Sequence, residues 1–363
     1  MGDSIKHCID WMTEPTRYFA VTLVGIFLFL KFRRYTTKIS VIVGFFAVGT
    51  AFLIFAWSDP NFNRIITKPD NVPIIILLFS VIFFSWLSLR RAYLNDERIK
   101  AGLPPMEGDA GKQKVHVWPD LVYVELICII LFTAFLIFWS IGILAPIEEP
   151  AATARTPNPS KAPWYFLGLQ ELLVYFDPWI AGVLLPSFIV VGLMAIPYVD
   201  RNPKGNGYYT FEERAFSISF FWVGFLGFWI SFVILGTFLR GPNWSFFGPF
   251  EYWDLHKLAP MVNVDVSTYF WVKLLDMPRP DNIFLRESPG LLALGAWFLI
   301  IPKVLERPLM AKLYGGDRPH LVRYYVMTHP LLCFGLVPVK MPLPVLVNLR
   351  YIVGLPQALL KSL

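Results

Sequence analysis

The segment from residue 156 to residue 173 holds the side chains best suited to chemistry. It combines three prolines, a set of aromatic and apolar residues, and one carboxylate: Pro157, Pro159, Pro163, Trp164, Tyr165, Phe166, Leu169 and Glu171. The prolines restrict the backbone, and the aromatic rings supply flat apolar surface. A carboxylate can accept a proton near working pH when burial tunes its pKa. The segment therefore suits an apolar ring that loses protons.

Histidine and cysteine offer little metal chemistry. The five histidines are His7, His116, His256, His320 and His329. No two share a predicted span at the spacing of an intramembrane bis-histidine heme pair, so we expect this chain alone to hold no heme. Cys8, Cys128 and Cys333 lie too far apart in sequence to form a metal or redox motif. We expect no metal site.

The composition is that of a membrane protein. The 363 residues are 56% hydrophobic, 17% aromatic and 16% charged, and the mean hydropathy is +0.54. A soluble domain carries nearer a quarter charged residues, and long apolar runs are satisfied only in a bilayer. The first 16 residues lack the features of a cleavable signal peptide, so we expect the first span to direct insertion.

Apolar runs predict an all-α integral membrane fold with about seven transmembrane helices. The predicted spans are 18–30, 39–57, 72–89, 121–144, 179–198, 215–238 and 291–304. A weaker run, 324–339, is interrupted by His329, Pro330 and Pro338, and we interpret it as an interfacial or re-entrant segment.

The charge pattern predicts the orientation. Basic residues cluster in five places, namely 31–38, 90–100, 112–114, 201–204 and 303–323. The loops 58–70, 145–178 and 239–288 are less basic for their length. The positive-inside rule then puts the basic loops in the cytoplasm and the N-terminus outside. The net charge of +6 is explained by this pattern and not by nucleic-acid binding.

Three short motifs around the aromatic segment occur in a characteristic order. A span opens at Val117-Trp118-Pro119-Asp120, the loop carries Ala162-Pro163-Trp164-Tyr165, and the next span ends at Ala195-Ile196-Pro197-Tyr198. The order resembles the C-terminal half of cytochrome b, especially subunit IV of the chloroplast cytochrome b/f complex. The resemblance covers Val115 to Leu239.

The resemblance implies a function and partners. It implies a subunit of a quinol:cytochrome c oxidoreductase in a bacterial energy-transducing inner membrane, active in respiratory electron transfer and proton translocation. The loop would carry a short surface helix and form part of the outer quinol-oxidation site, with Pro163, Trp164, Tyr165, Phe166 and Leu169 binding quinol. Heme b would belong to a partner, the N-terminal half of cytochrome b. A Rieske-type iron–sulfur protein and a c-type cytochrome complete the expected partners.

One residue departs from the family pattern. The motif's usual glutamate is Pro163 here, and proline cannot carry a proton. Our hypothesis is that Glu171 takes the proton, because it returns to nearly the same face if one regular helix includes both residues. The alternative is that Glu171 faces water or pairs with a basic group on a partner.

The other regions have less specific interpretations. We divide the chain into an N-terminal extension (1–112), a cytochrome b C-terminal-like core (113–245) and a last part (246–363) with an outer aromatic loop, one span and a cytoplasmic tail. Asp276, Asp281 and Glu287 are expected in a docking surface. His116 is a further candidate for an inner quinone site.

Two other functions remain open. One is a quinone-interacting membrane anchor of a different redox complex. The other is a transporter, which is disfavoured because the charges flank the spans, apart from Glu125 near one end, and no internal repeat is visible.

Overall fold

Helices form almost all of the described secondary structure. The computed structural model describes residues 2–110, 114–144, 147, 150, 152–199, 208–258, 264–314, 321–349 and 351–354. Within these ranges the β-structure consists of two isolated bridges, Arg240 with Phe246 and Val264 with Leu349. The all-α membrane fold is confirmed. The chain forms two compact units, one of residues 1–164 and 204–257 and one of residues 165–203 and 258–363.

The α-helices are Gly2–Met12, Pro15–Lys31, Arg33–Thr36, Ile39–Trp57, Pro60–Ile66, Asn71–Lys100, Glu107–Ala110, Val122–Gly142, Leu167–Tyr175, Leu185–Val199, Ala215–Phe221, Ser231–Ile234, Ile283–Gly295, Ile301–Tyr314, Leu321–Lys340 and Leu343–Leu346. Wider π-helical turns extend or join several of them: Val117–Leu121, Ile180–Leu184, Trp222–Ile230, Leu235–Leu239 and Ala296–Ile300. A further π-helical turn, Thr268–Leu274, stands alone.

Six helical stretches are long and apolar enough to cross a membrane. They are Ile39–Trp57, Asn71–Lys100, Val117–Gly142, Ile180–Tyr198, Ala215–Leu239 and Ile283–Pro308. Each contains one of the predicted spans or agrees with it to within a few residues. The first predicted span corresponds to Pro15–Lys31, a helix of 17 residues.

The first unit packs the Pro15–Lys31 helix along the Ala215–Leu239 span. The ring of Phe19 stacks on Phe228 and Phe232, with centroid distances of 5.3 and 5.6 Å. Near the other end of the helix, buried Leu30 belongs to the same apolar cluster as Trp222. The N-terminal extension thus supplies packing partners for the last span of the core.

At one end of this unit, two buried polar residues fix the loop that precedes the Ala215–Leu239 span. The amide of Asn95, which is fully buried, donates to the Glu107 carboxylate at 2.6 Å and to the Tyr209 carbonyl at 2.8 Å. The neighbouring Asp96 carboxylate accepts from the backbone amide of Phe211 at 3.1 Å. Such bonds offset the cost of burying polar groups.

At the other end, the first helix is held by two acidic side chains. Lys6 donates to the Asp59 carboxylate at 2.6 Å, and the Asp10 carboxylate accepts from the backbone amide of Phe250 at 3.0 Å. Burial raises the pKa of Asp59, but the hydrogen bonds from Lys6 and from two backbone amides outweigh burial, so this pKa lies below its ordinary value. These contacts join three segments predicted to lie outside.

In the second unit, the helix Leu321–Lys340 lies antiparallel to the Ile283–Pro308 span. The Tyr324 hydroxyl donates to the Pro302 carbonyl at 2.6 Å, and further along the Trp297 indole donates to the Leu332 carbonyl at 3.1 Å. The 20 residues of this helix span about 30 Å, enough to cross the apolar part of a bilayer. The interruptions at His329, Pro330 and Pro338 do not break the helix.

A short segment after this helix returns to the start of the Ile283–Pro308 span. We call it the C-terminal strap, residues 347–349 and 351–354. The backbone amides of Val264 and Val266 donate to its carbonyls, both at 3.1 Å. The amide of Gly354 donates to the buried Glu287 carboxylate at 2.8 Å. The strap therefore lies at the same end of this unit as residues 264–290.

This packing predicts the sidedness of the strap. Leu346, which directly precedes the strap and is 74% exposed, is replaced by cysteine in a Cys8→Ser background. Because Leu321–Lys340 is long enough to cross the bilayer and runs antiparallel to a span, L346C should react with an impermeant maleimide added outside the cell. This differs from the cytoplasmic tail expected from the sequence, which left this helix out of the spans. Leu103→Cys, in a predicted cytoplasmic loop, should react only after permeabilisation. Equal behaviour of the two cysteines would contradict this prediction.

Candidate functional site

The aromatic segment divides into three local structures. Residues 152–163 are non-helical, Trp164–Phe166 form one 3-10 turn, and Leu167–Tyr175 form an α-helix of nine residues. The predicted surface helix therefore exists, and it begins after the proline-rich approach. The helix ends at Tyr175, and the next residue, Phe176, has an extended backbone.

The approach contacts the C-terminal end of the Ala215–Leu239 span. The side chain of Asn158 makes two hydrogen bonds with Asn243, one to the side-chain oxygen at 2.9 Å and one from the backbone amide at 2.7 Å. The Lys161 ammonium donates to the carbonyl of Thr237 at 2.8 Å. Sequence reasoning did not identify these residues, because no spacing pattern relates positions 76 to 85 residues apart.

The aromatic side chains are partly open to the surroundings. Trp164, Tyr165 and Phe166 are 39%, 47% and 51% exposed. The rings of Tyr165 and Phe166 are tilted against each other at 4.7 Å between centroids. Leu169, one turn later, is half-buried, whereas its neighbour Leu167 is buried. The three rings thus offer apolar surface that a flat ligand could contact.

Glu171 is fully buried, with no exposed surface. The Tyr175 hydroxyl donates to its carboxylate at 2.9 Å. The two residues are four apart, so they meet on one face of the helix. Burying a carboxylate costs free energy, and hydrogen bonds offset that cost. Asp177, the next acidic residue along the chain, is also buried.

Two expectations about Glu171 are corrected by this geometry. The alternative that it faces water is wrong, because the residue has no exposed surface. The argument from a shared helix face is also wrong, because Pro163 lies outside the helix that contains Glu171. That Glu171 accepts the proton stays a prediction.

The remaining candidates are dispersed. His116 is exposed just before the Val117–Leu121 turn. His329 packs against Phe298 at 6.2 Å between ring centroids, and His320 lies outside the described residues. Asp276 and Asp281 are exposed, as a docking surface requires. Glu287 is 3% exposed and holds the strap, so its predicted place in a docking surface is wrong.

One family comparison bears directly on this segment. Residues 150–247 match the protein family described as Cytochrome b(C-terminal)/b6/petD. No solved structure matches the chain. The match confirms the resemblance for the Ala162–Tyr165 motif and the two spans that follow it, whereas the Val117–Gly142 span lies before the matched residues. The matched residues are similar to a family of subunits of cytochrome bc and b/f oxidoreductase complexes, which act in electron transport, and the six apolar helices are typical of a membrane protein.

Proposed function

We propose that this protein is the heme-free, quinone-site subunit of a quinol:cytochrome c oxidoreductase. The single observation that carries the proposal is the buried, hydrogen-bonded carboxylate of Glu171, which follows the aromatic motif inside the family-matched segment. Quinol oxidation releases two protons and two electrons, so its site needs apolar walls and a proton acceptor. The rings of Trp164, Tyr165 and Phe166 form the apolar walls. Glu171 is the proton acceptor.

The roles of the site residues follow from their surroundings. The half-exposed rings of Trp164, Tyr165 and Phe166 contact the quinol, with Pro163 and Leu169 beside them in the chain. A buried carboxylate is protected from bulk water, so its proton exchange is confined to defined hydrogen-bonded partners such as Tyr175. The quinol's two electrons would be taken up by cofactors on partner subunits, a Rieske-type iron–sulfur protein and the heme b subunit.

The Val117–Gly142 span supports the presence of such a partner. The described residues bury none of its most apolar 18 residues, although their mean hydropathy is 2.7. Glu125 lies in its first α-helical turn and is exposed. Acidic residues in spans usually face other helices or polar cavities. The neighbouring subunit that supplies polar partners to Glu125 is, in this proposal, the heme-bearing half of cytochrome b.

Isolation of the complex tests the proposal. The protein, carrying an affinity tag, is purified from its native membrane in mild detergent. We expect co-purification of b-type heme, of a Rieske-type protein with its electron paramagnetic resonance signal, and of quinol:cytochrome c reductase activity. Co-purification with other redox subunits and no Rieske signal would support the membrane-anchor alternative. A preparation with neither heme nor redox partners would contradict both.

A further inference from the structure

We propose that Asn243 and Lys161 are positioning residues that hold the approach to the quinol loop in its working place. This inference rests on the proposed function, because it assigns a role in quinol oxidation. It concerns residues 156–163, which lead directly into Trp164. Its evidence lies wholly within the first compact unit, where the approach meets the loop after the Ala215–Leu239 span.

Asn243 has a backbone conformation that suits its role. Its φ and ψ are 58° and 21°, in the left-handed region that asparagine tolerates better than most residues. This conformation accompanies hydrogen bonds on both sides of the residue. The amide nitrogen of its side chain donates to the Leu255 carbonyl at 3.0 Å, while its side-chain oxygen and backbone amide bond Asn158. Through Asn243, the approach is therefore hydrogen-bonded to the loop after the span, and this part of the loop is bonded to Leu255 further along.

Lys161 forms the second anchor. It lies three residues before Trp164, and its ammonium donates to the Thr237 carbonyl in the last turn of the span. Carbonyls in the last turn of a helix lack intrahelical partners and attract cations. The same ammonium lies 5.4 Å from the centre of the Trp253 ring, a distance that permits a cation–π interaction.

The two anchors act on a chain that has little freedom of its own. Pro159 and Pro163 flank Lys161 and each fixes one backbone torsion. When an anchor is lost, the approach therefore moves as a rigid segment. The aromatic rings are then in the position that binds quinol for only a fraction of the time. Ligand affinity falls in proportion to that fraction, whereas the chemical step of the bound quinol is unchanged.

Asn243→Gly isolates the side chain, because glycine keeps the left-handed backbone without strain. In the tagged complex we expect the KM for quinol to rise about fivefold with kcat within about twofold of the parent, the effect of losing a few modest hydrogen bonds. Asn158→Ala should give a similar rise, and the double variant should add little to either single change. The pH profile of kcat should not move.

A matched control is Asn348→Gly. Asn348 is also exposed and also has a left-handed backbone, with φ of 53°, but it lies in the C-terminal strap of the other unit. We expect N348G to leave KM unchanged. A purely structural role for Asn243 would lower heme content and maximal rate together without changing KM.

The outcomes separate this inference from the proposed function. If the parent complex oxidises quinol but N243G has the KM of N348G, the positioning role is overturned and the function stands. Fully additive KM effects of N158A and N243G would also overturn the shared anchor. A parent complex that contains the expected partners and oxidises no quinol would overturn both the function and this inference.

Discussion

Replacing Glu171 by glutamine is expected to lower the kcat for quinol oxidation by about 100-fold, the lower range for loss of a general base. Glutamine has nearly the same shape and can still accept the Tyr175 hydrogen bond, so the helix Leu167–Tyr175 should keep its packing. It cannot accept a proton. The measurement is steady-state quinol:cytochrome c reductase activity of the purified complex, normalised to heme b.

Two control variants sharpen this prediction. Tyr175→Phe removes the hydroxyl group but keeps the carboxylate, and we expect its kcat to stay within about tenfold of the parent. Asp177→Asn removes the other buried carboxylate that follows the motif. If D177N loses more activity than E171Q, the proton acceptor is Asp177. If E171Q retains the turnover and pH profile of the parent, the role proposed for Glu171 is wrong.

Replacing Gly290 by alanine is expected to detach the C-terminal strap. A β-carbon at this position would overlap the backbone carbonyl oxygen of Ile352, and a backbone carbonyl cannot turn away as a side chain can. Overpacking of this kind costs about 1–3 kcal/mol, and displacement would also break the hydrogen bond from Gly354 to Glu287. We expect the melting temperature to fall and limited proteolysis to cut the strap sooner.

Gly295 provides the matched control on the same helix. Nothing lies within 4 Å of the place where its β-carbon would be. Gly295→Ala should therefore be neutral or raise helix stability by about 0.5–1 kcal/mol, because glycine is a poor helix former. Equal proteolysis patterns for G290A and G295A would show that the strap does not depend on the close approach at Gly290.

The spans could be predicted from the sequence because long apolar runs have few stable environments other than a lipid bilayer. The run 39–57 coincides with the helix Ile39–Trp57. The run 72–89 identified its helix but not its end, since Asn71–Lys100 continues for another 11 residues. The continuation contains Asn95 and Asp96, whose burial depends on residues 208–212. Hydropathy contains no information about such distant partners.

The helix Gly2–Met12 was missed for a similar reason. It is too short and too polar to register as a span, and none of its residues is buried. Its position depends on Asp10, whose partner Phe250 is 240 residues away. The sequence around residue 10 gives no sign of that contact.

For the candidate site, the motif predicted the position in the chain and the surface helix. It did not predict that the Glu171 carboxylate is buried and hydrogen-bonded. Periodicity from Pro163 assumed one continuous helix, whereas the proline-rich approach and a 3-10 turn precede Leu167–Tyr175. The spacing of Glu171 and Tyr175 would have been the better signal, because residues four apart in a helix can pair. The Asn158–Asn243 contact has no comparable local signal.

The C-terminal strap also has a consequence for biosynthesis. Its partner Glu287 is made 67 residues before Gly354, and the helices Ile301–Tyr314, Leu321–Lys340 and Leu343–Leu346 are synthesised between them. Until the ribosome has passed residue 354, the buried carboxylate of Glu287 lacks a backbone donor and Val264 and Val266 lack their carbonyl acceptors. A chain that stalls before the strap exposes the backbone amides of Val264 and Val266 and leaves Glu287 with Arg286 but without the Gly354 amide. Completion of this unit therefore waits for the synthesis of residues 347–354.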